Sequence, residues 1–303
     1  LYCEEVLRRG AWIARMLAAD SLPATWRSCL TIGCLESGLD VWNGGANYYT
    51  IAQISVGQVD AANGLMAVKD LVFDKKKLTM AELKKALAAN FEGEYERVHK
   101  MCYVDAPKYG NNIQEADMMV RRVNNSILDA FNTVDGGGNY MGKDDLYRTS
   151  LDQYTKSIHN LMGKVTGALP TGKKAGQALT DGSLSAMPGT DVNGPTALVM
   201  SAAMGGDPVR WTATHMNMKV QPDQLKSRKG RDQILGLVKT LFDNGGYHIQ
   251  FNCLDTEMLR DAQKHPENYR DLVVRVAGFS AFFTKLDVGV QNEVIERTLQ
   301  TFH

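Results

Sequence analysis

The residues of this chain that could do chemistry are few and scattered. Five cysteines, Cys3, Cys29, Cys34, Cys102 and Cys253, could bind a soft metal or supply a thiol. Cys29 and Cys34 stand closest, in C-L-T-I-G-C, yet no second Cys/His pair at finger-like spacing follows to complete a tetrahedral zinc site. An odd number at irregular spacing in a large chain also argues against a disulfide framework. Lysine and glycine recur in G-K-V-T-G and T-G-K-K-A-G, but neither has the four-residue gap before Gly-Lys-Ser/Thr that wraps a phosphate. His215 and His248 sit in alternating segments, where a satisfied strand histidine is commoner than an acid or base, and neither receives a role. Gly278 is the remaining oddity, alone in the apolar run Asp271-Leu-Val-Val-Arg-Val-Ala-Gly-Phe-Ser-Ala-Phe-Phe-Thr-Lys285. By composition it marks a bulge or a tight turn needing positive φ.

The elements that must position these residues follow from periodicity. The 303 residues are 44% hydrophobic and 22% charged, enough apolar mass for a substantial core. The 34 Lys+Arg balance 34 Asp+Glu, so no net field draws nucleic acid or an anionic membrane. No apolar run reaches a spanning length and no signal pattern opens the chain, which reads as cytoplasmic. Leu1 in place of Met leads us to expect a processed or truncated chain. Helical steps predict helices over 4–19, 114–131 and 231–242, and the capping box Thr79/Glu82 opens another through about Asn90. Alternation predicts strands over 214–220 and 247–252 and a further strand over 272–276, with Asp255 capping a helix from Thr256 and a last helix over 288–301. The glycine-rich span 132–208 reads as mostly loop. Strands alternating with helices predict an α/β fold with parallel strands.

R-V-A-G-F-S-A around Gly278 resembles the C-terminal signature of the glycyl radical enzymes. Other segments resemble the family in family order: G-L-D-V-W-N-G-G-A-N-Y at 38–48, A-P-K-Y-G-N at 106–111, G-T-D-V-N-G-P-T-A at 189–197, G-G-Y-H-I-Q-F-N at 245–252 and D-A-Q-K-H-P-E-N-Y-R-D-L at 261–272. The resemblance implies half of the family's α/β barrel over 1–244 and a glycyl radical domain over 245–303. It implies that Gly278 stores a radical installed by an S-adenosylmethionine-dependent iron–sulfur activase, with no cofactor bound by this chain. Glycine suits that task physically. An electron shared between an amide nitrogen and a carbonyl needs a planar centre that a β-carbon would crowd, and burial among Val276, Phe279, Phe282 and Phe283 is expected to exclude water and dioxygen.

In the family the radical passes to a cysteine on a finger loop. Gly33-Cys34-Leu35-Glu36 superficially fits that loop, but it runs directly into a segment that lies beyond the loop in the family, so Cys34 is assigned a non-catalytic place. The thiyl cysteine is then expected outside this chain, on an upstream half or a separate subunit. Asn160, Met162, Met216 and Met218 are the candidate substrate-binding residues, the methionines for their adaptable apolar surface and Asn160 to orient a polar group. Asn43 stands where many relatives carry an acid, and Pro170-Thr171-Gly172-Lys173-Lys174 departs from the usual P-D-G-R-K. The lost acid at Asn43 argues against binding or deprotonating a substrate hydroxyl there. The S-A-M-P-G-T-D stretch with the aromatic surroundings of Gly278 resembles the arylacetate decarboxylase and benzylsuccinate synthase branches, which implies carbon–carbon bond chemistry such as arylacetate decarboxylation. A fumarate-adding synthase, a diol or glycerol dehydratase, and a non-catalytic repair or scaffold protein are the alternatives. The implied partners are the activase, the cysteine-bearing half, a small-molecule substrate and a second copy in a homo-oligomer.

Overall fold

The computed structural model describes residues 23–41, 45–47, 49–132, 147–153, 157–181, 184–246, 248–276 and 278–300. The predicted helix over 4–19 and position Asn43 lie outside them. The described residues fall into two compact units, one from 1–53 with 124–151 and a larger one from 54–123 with 152–303.

The smaller unit contains α1 (Thr25–Cys29), α2 (Cys34–Ser37) and the neighbouring strands β1 (Tyr49–Ile54) and β2 (Tyr147–Gln153). Cys34 packs here as a small apolar residue with Val41 and Ala46. Gly33 opens α2 at φ +99°, where a β-carbon would meet the Asn47 backbone nitrogen and the Gly45 carbonyl oxygen at 2.7 Å. Its N–H donates to Glu36 Oε2 at 2.9 Å, so Glu36 closes the first turn of this short helix.

The larger unit begins with α3 (Gln58–Val68), α4 (Met80–Ala88), α5 (Glu96–Lys100) and the first half, through Val123, of α6 (Gln114–Asn132). Helices α3 and α5 each run on into a π-helical segment, over Lys69–Asp74 and Met101–Asp105. The predicted capping box is present: Glu82 N–H donates to Thr79 Oγ1 at 3.1 Å, and Thr79 N–H donates to Glu82 Oε2 at 2.7 Å. Leu71, Leu83, Ala86, Phe91 and Cys102 form the core under these helices.

Then follow α7 (Ile158–Lys164), α8 (Gly194–Gly205), β3 (Trp211–Thr214), β4 (Met216–Val220), α9 (Pro222–Lys226), α10 (Arg228–Asp243), β5 (Ile249–Cys253) and α11 (Thr256–Lys264). The chain closes with β6 (Val273–Arg275), β7 (Ser280–Phe282), α12 (Val288–Glu296) and β8 (Leu299–Gln300). Strand β4 is central and parallel to both neighbours, with Met218 opposite Phe251 on β5 and Lys219 opposite Leu299 on β8. Parallel strands need long crossovers, and α9 with α10 supplies the one between β4 and β5. The α/β expectation with parallel strands is met.

Three elements differ from the sequence reading. Most of the described residues in the span 132–208 are loop as expected, but β2, α7 and α8 also form within it. Helix α8 is apolar nearly all round, because most of its length is buried, so no polar face marks its period. The strand over 214–220 breaks at His215 into β3 and β4. The last helix stops at Glu296 instead of 301, because Arg297 turns extended and Leu299–Gln300 pairs with β4. No helix among the described residues is long and apolar enough to cross a membrane.

Leu259, Val274, Val276, Phe283 and Val294 bring α11, α12 and the β6–β7 hairpin into one core. Leu259→Ala is expected to cost about 3 kcal/mol through lost burial and the cavity left behind. Urea unfolding checks this, and an unchanged midpoint would remove that core from the account.

Candidate active site

Gly278 sits at the corner of the turn joining β6 to β7. The two strands pair antiparallel, with Val274 opposite Ala281, and Val276 N–H donates to the Phe279 carbonyl at 2.9 Å to close the turn. The position has φ +83°, which a side-chain-bearing residue adopts only with strain. Space among the described residues does not impose the glycine, since a β-carbon would meet only His215 Nε2 of them, at 3.8 Å. The expected burial is half right. Val276 and Phe283 are fully buried, but Gly278 is exposed and Phe279 and Phe282 are 37% and 49% exposed. Strand alternation sends Val274 and Val276 into the core, whereas the turn projects beyond the sheet, and no described segment covers its tip.

Of the two strand histidines, His215 lies against this turn. The rings of His215 and His248 are 4.1 Å apart at a 46° tilt. Burial lowers the His248 pKa, and the neighbouring His215 and Arg275 lower it further. The ring of His215 thus stands close to the glycine, packed against that of His248.

Below the turn lies a buried ionic network that periodicity did not reveal. Arg297, just past α12, donates through Nη1 to the Arg275 carbonyl at 3.0 Å and through Nη2 to the Val276 carbonyl at 2.6 Å. Its Nε and Nη2 also donate to Glu293 Oε1, the former at 3.1 Å, and Asp181 Oδ2 lies 3.6 Å from Nη2. Burial pushes the Glu293 carboxyl up, but the Arg297 charge and the bond from His159 outweigh it and hold its pKa at about 2. The ionised carboxylate only accepts, so His159 Nε2–H donates to Glu293 Oε2 at 2.9 Å. Asn252 backs the same stem: its Nδ2 donates to the Arg275 carbonyl at 2.7 Å, and Arg275 N–H donates to its Oδ1 at 2.8 Å. Lys219 Nζ donates to the Ile295 carbonyl at 2.7 Å, and burial followed by Arg297 and Arg260 lowers its pKa to about 8. Asp191, bonded by Thr298 and Gln300, is raised by burial to about 6.

The four candidate substrate residues are not gathered around one cavity of the described residues. Asn160 is buried on α7, with its side-chain amide 3.0 Å from His159 Nε2, and lines an open pocket of about 310 Å³ with Lys173, Asn292 and Glu293. Met162, on the same helix, is 49% exposed. Met216 and Met218 are fully buried in β4. Met218 borders a cavity of about 30 Å³ shared with Asp181, Asn217 and Arg297, room for a water and not for an organic substrate.

Comparison with known proteins decides the family. Residues 2–153 match the family described as pyruvate formate lyase-like, and residues 180–284, which include Gly278, match the glycine radical family. The chain belongs to the glycyl radical enzymes. It is 36% identical over 301 residues to trans-4-hydroxy-L-proline dehydratase of Clostridioides difficile, covering 99% of this chain and 37% of that one. It is 37% identical over 303 residues to indoleacetate decarboxylase of Tractidigestivibacter scatoligenes, covering 92% of this chain and 33% of the relative. The crystal structure of the C. difficile hydroxyproline dehydratase with trans-4-hydroxy-L-proline bound superposes with a TM-score of 0.88 at 36% identity, over 97% of this chain and 36% of that one. This chain thus spans about a third of the length of these glycyl radical enzymes.

The ionic network carries a pH signature. A carboxylate whose pKa falls from 4.5 to about 2 on folding contributes stability that is complete above about pH 4.5 and is lost as pH falls toward 2. Asp117 and Asp191, both raised to about 6, act in the opposite sense and gain as pH falls through 6. Glu293→Gln is expected to lower stability at pH 7 by about 3 kcal/mol, since it leaves the buried Arg297 with only the more distant carboxylate of Asp181 as counter-charge. The gap from the unaltered protein should close between pH 4.5 and 2 in urea titrations. A gap independent of pH would remove Glu293 from the acid limb.

Proposed function

We propose that this chain is the radical-bearing part of a glycyl radical lyase, with Gly278 storing the unpaired electron. The observation that carries the reading is the place of Gly278: a positive-φ turn corner, exposed at its tip, above a stem that is buried and hydrogen-bonded. A tip that an activating enzyme can reach, on a stem that restores its position, is what repeated use of one backbone Cα requires.

Gly278 would lose one Cα hydrogen atom to the 5′-deoxyadenosyl radical made by the activase. That radical comes from one-electron reductive cleavage of S-adenosylmethionine, which also releases methionine, and it ends as 5′-deoxyadenosine. The glycyl radical then takes a hydrogen atom from a cysteine thiol outside this chain, restoring Cα–H and leaving a thiyl that abstracts hydrogen from the substrate. Residues 245–303 form the radical domain in this reading, and 1–244 the half-barrel beside it, working in an anaerobic cytoplasm.

For the reaction we favour carbon–carbon cleavage of the arylacetate decarboxylase type, in which one proton is consumed and carbon dioxide released. The similarity to indoleacetate decarboxylase supports it. Dehydration of a hydroxylated substrate is the second reading, supported by the hydroxyproline dehydratase likeness in sequence and structure. Asn160 and Met162 on α7 and Met216 and Met218 on β4 are our candidates for substrate contact, with Asn160 best placed because it lines the larger pocket.

Anaerobic electron paramagnetic resonance with the activase and S-adenosylmethionine tests the storage site. The expected result is a doublet that disappears in Gly278→Ala, and air exposure of the activated protein should yield a product about 25 residues shorter, cut at Gly278. A doublet that survives Gly278→Ala, or an intact mass after air exposure of activated protein, overturns the assignment.

A further inference from the structure

We infer that Arg297 is a positioning residue for the radical loop, and that Glu293 and His159 act through it to hold Gly278 in register. The inference rests on Gly278 as the storage residue. It goes beyond that reading by naming a side-chain clamp that separates a fixed stem from a free tip.

The clamp is built from one guanidinium. Its two outer nitrogens reach the carbonyls of Arg275 and Val276, consecutive residues ending two positions before Gly278. Main-chain carbonyls at the end of β6 have no further strand to bond, so a planar fork of donors replaces the missing strand. The fork is itself held. Glu293, one helical turn earlier, accepts from Nε and Nη2, and the guanidinium is buried, where charged hydrogen bonds are strong and costly to break. Glu293 is held in turn by His159 of α7, next to Asn160 at the larger pocket. An unbroken chain of contacts therefore runs from the pocket-lining helix to the root of the radical turn.

Chemistry at a single Cα makes such a clamp consequential. Transfer of a hydrogen atom requires near contact between the reacting atoms, and a shift of about 1 Å can cost on the order of a hundredfold. Among the described residues, half-exposed Phe279 and Phe282 do not fix the tip, and a β-carbon at Gly278 would meet nothing nearer than His215 at 3.8 Å. The position of the turn then depends on its stem, and the stem on Arg297 and Asn252.

Arg297→Lys keeps the charge but replaces the planar fork with three N–H donors on a single nitrogen, which cannot span two carbonyls and a carboxylate that the guanidinium reaches from three different nitrogens. The test uses the enzyme containing this chain, activated anaerobically and then given a measured dose of dioxygen. The doublet of Arg297→Lys is expected to install at least as fast as that of the unaltered enzyme and to decay at least about fivefold faster, because the turn spends more time released. Leu259→Ala, which weakens the same core without touching the clamp, should keep the decay within about twofold. Equal decay in Arg297→Lys and the unaltered enzyme, or equal acceleration in Leu259→Ala, overturns the inference.

Hydrogen exchange of the radical-free protein gives a readout independent of the storage site. Amides of 273–276 and 294–297 are expected to open together under mild denaturant, and separate openings would overturn the clamp even if Arg297→Lys does not fold. If the unaltered enzyme shows no doublet with an activase proven on another enzyme, the Gly278 reading fails, and joint opening would still report the clamp itself.

Discussion

The C-terminal part of this protein depends on one buried ion pair. Arg297 and Glu293 lie four residues apart at the end of α12, both nearly excluded from water. A pair so placed adds little net stability, because desolvating both charges offsets most of their attraction. Its consequence is geometric. The guanidinium has more donors than one carboxylate can use, and the surplus goes to the carbonyls that end β6. Helix, sheet end and turn are thereby tied at a single point, and Lys219 ties β4 to the carbonyl of Ile295 beside it.

That arrangement explains why the turn can be exposed without being undefined. Apolar packing of Val274, Val276 and Phe283 against Leu259 and Val294 supplies the driving force, but it is non-directional and would tolerate small displacements. Directional bonds from Arg297 and Asn252 remove that tolerance at the stem. Gly278 then carries only a conformational requirement, a positive φ, and stays free of steric demands that would conflict with access.

Much of this was legible from local signals. The capping box at Thr79 and the Asp255 cap follow from residue type and spacing, because the interactions involved lie within a few residues, and the parallel pairing follows from the alternation of strands with helices along the chain. Other elements were illegible for equally physical reasons. Helix α8 lacks a polar face since it is buried nearly all round, and glycines at its ends read as loop. The final residues read as helix because Val288 to Glu296 has helical spacing, and only pairing with β4 makes Leu299–Gln300 a strand. His215 was set aside as a strand residue, yet it breaks the strand and stands beside Gly278.

Sequence by itself determined the family, the α/β class and Gly278 as the residue to examine, because these rest on an ordered set of local motifs that no folding is needed to read. Tertiary structure decided which side of the turn is buried and which is open. It also decided that Met216 and Met218 are interior while Asn160 meets a pocket. Above all it joined Arg297 to carbonyls about twenty residues away and to a histidine more than a hundred residues away, through Glu293. Hydrogen bonds to main-chain carbonyls leave no trace in residue identity at the accepting position, so a clamp of this kind can be seen only once the chain is folded.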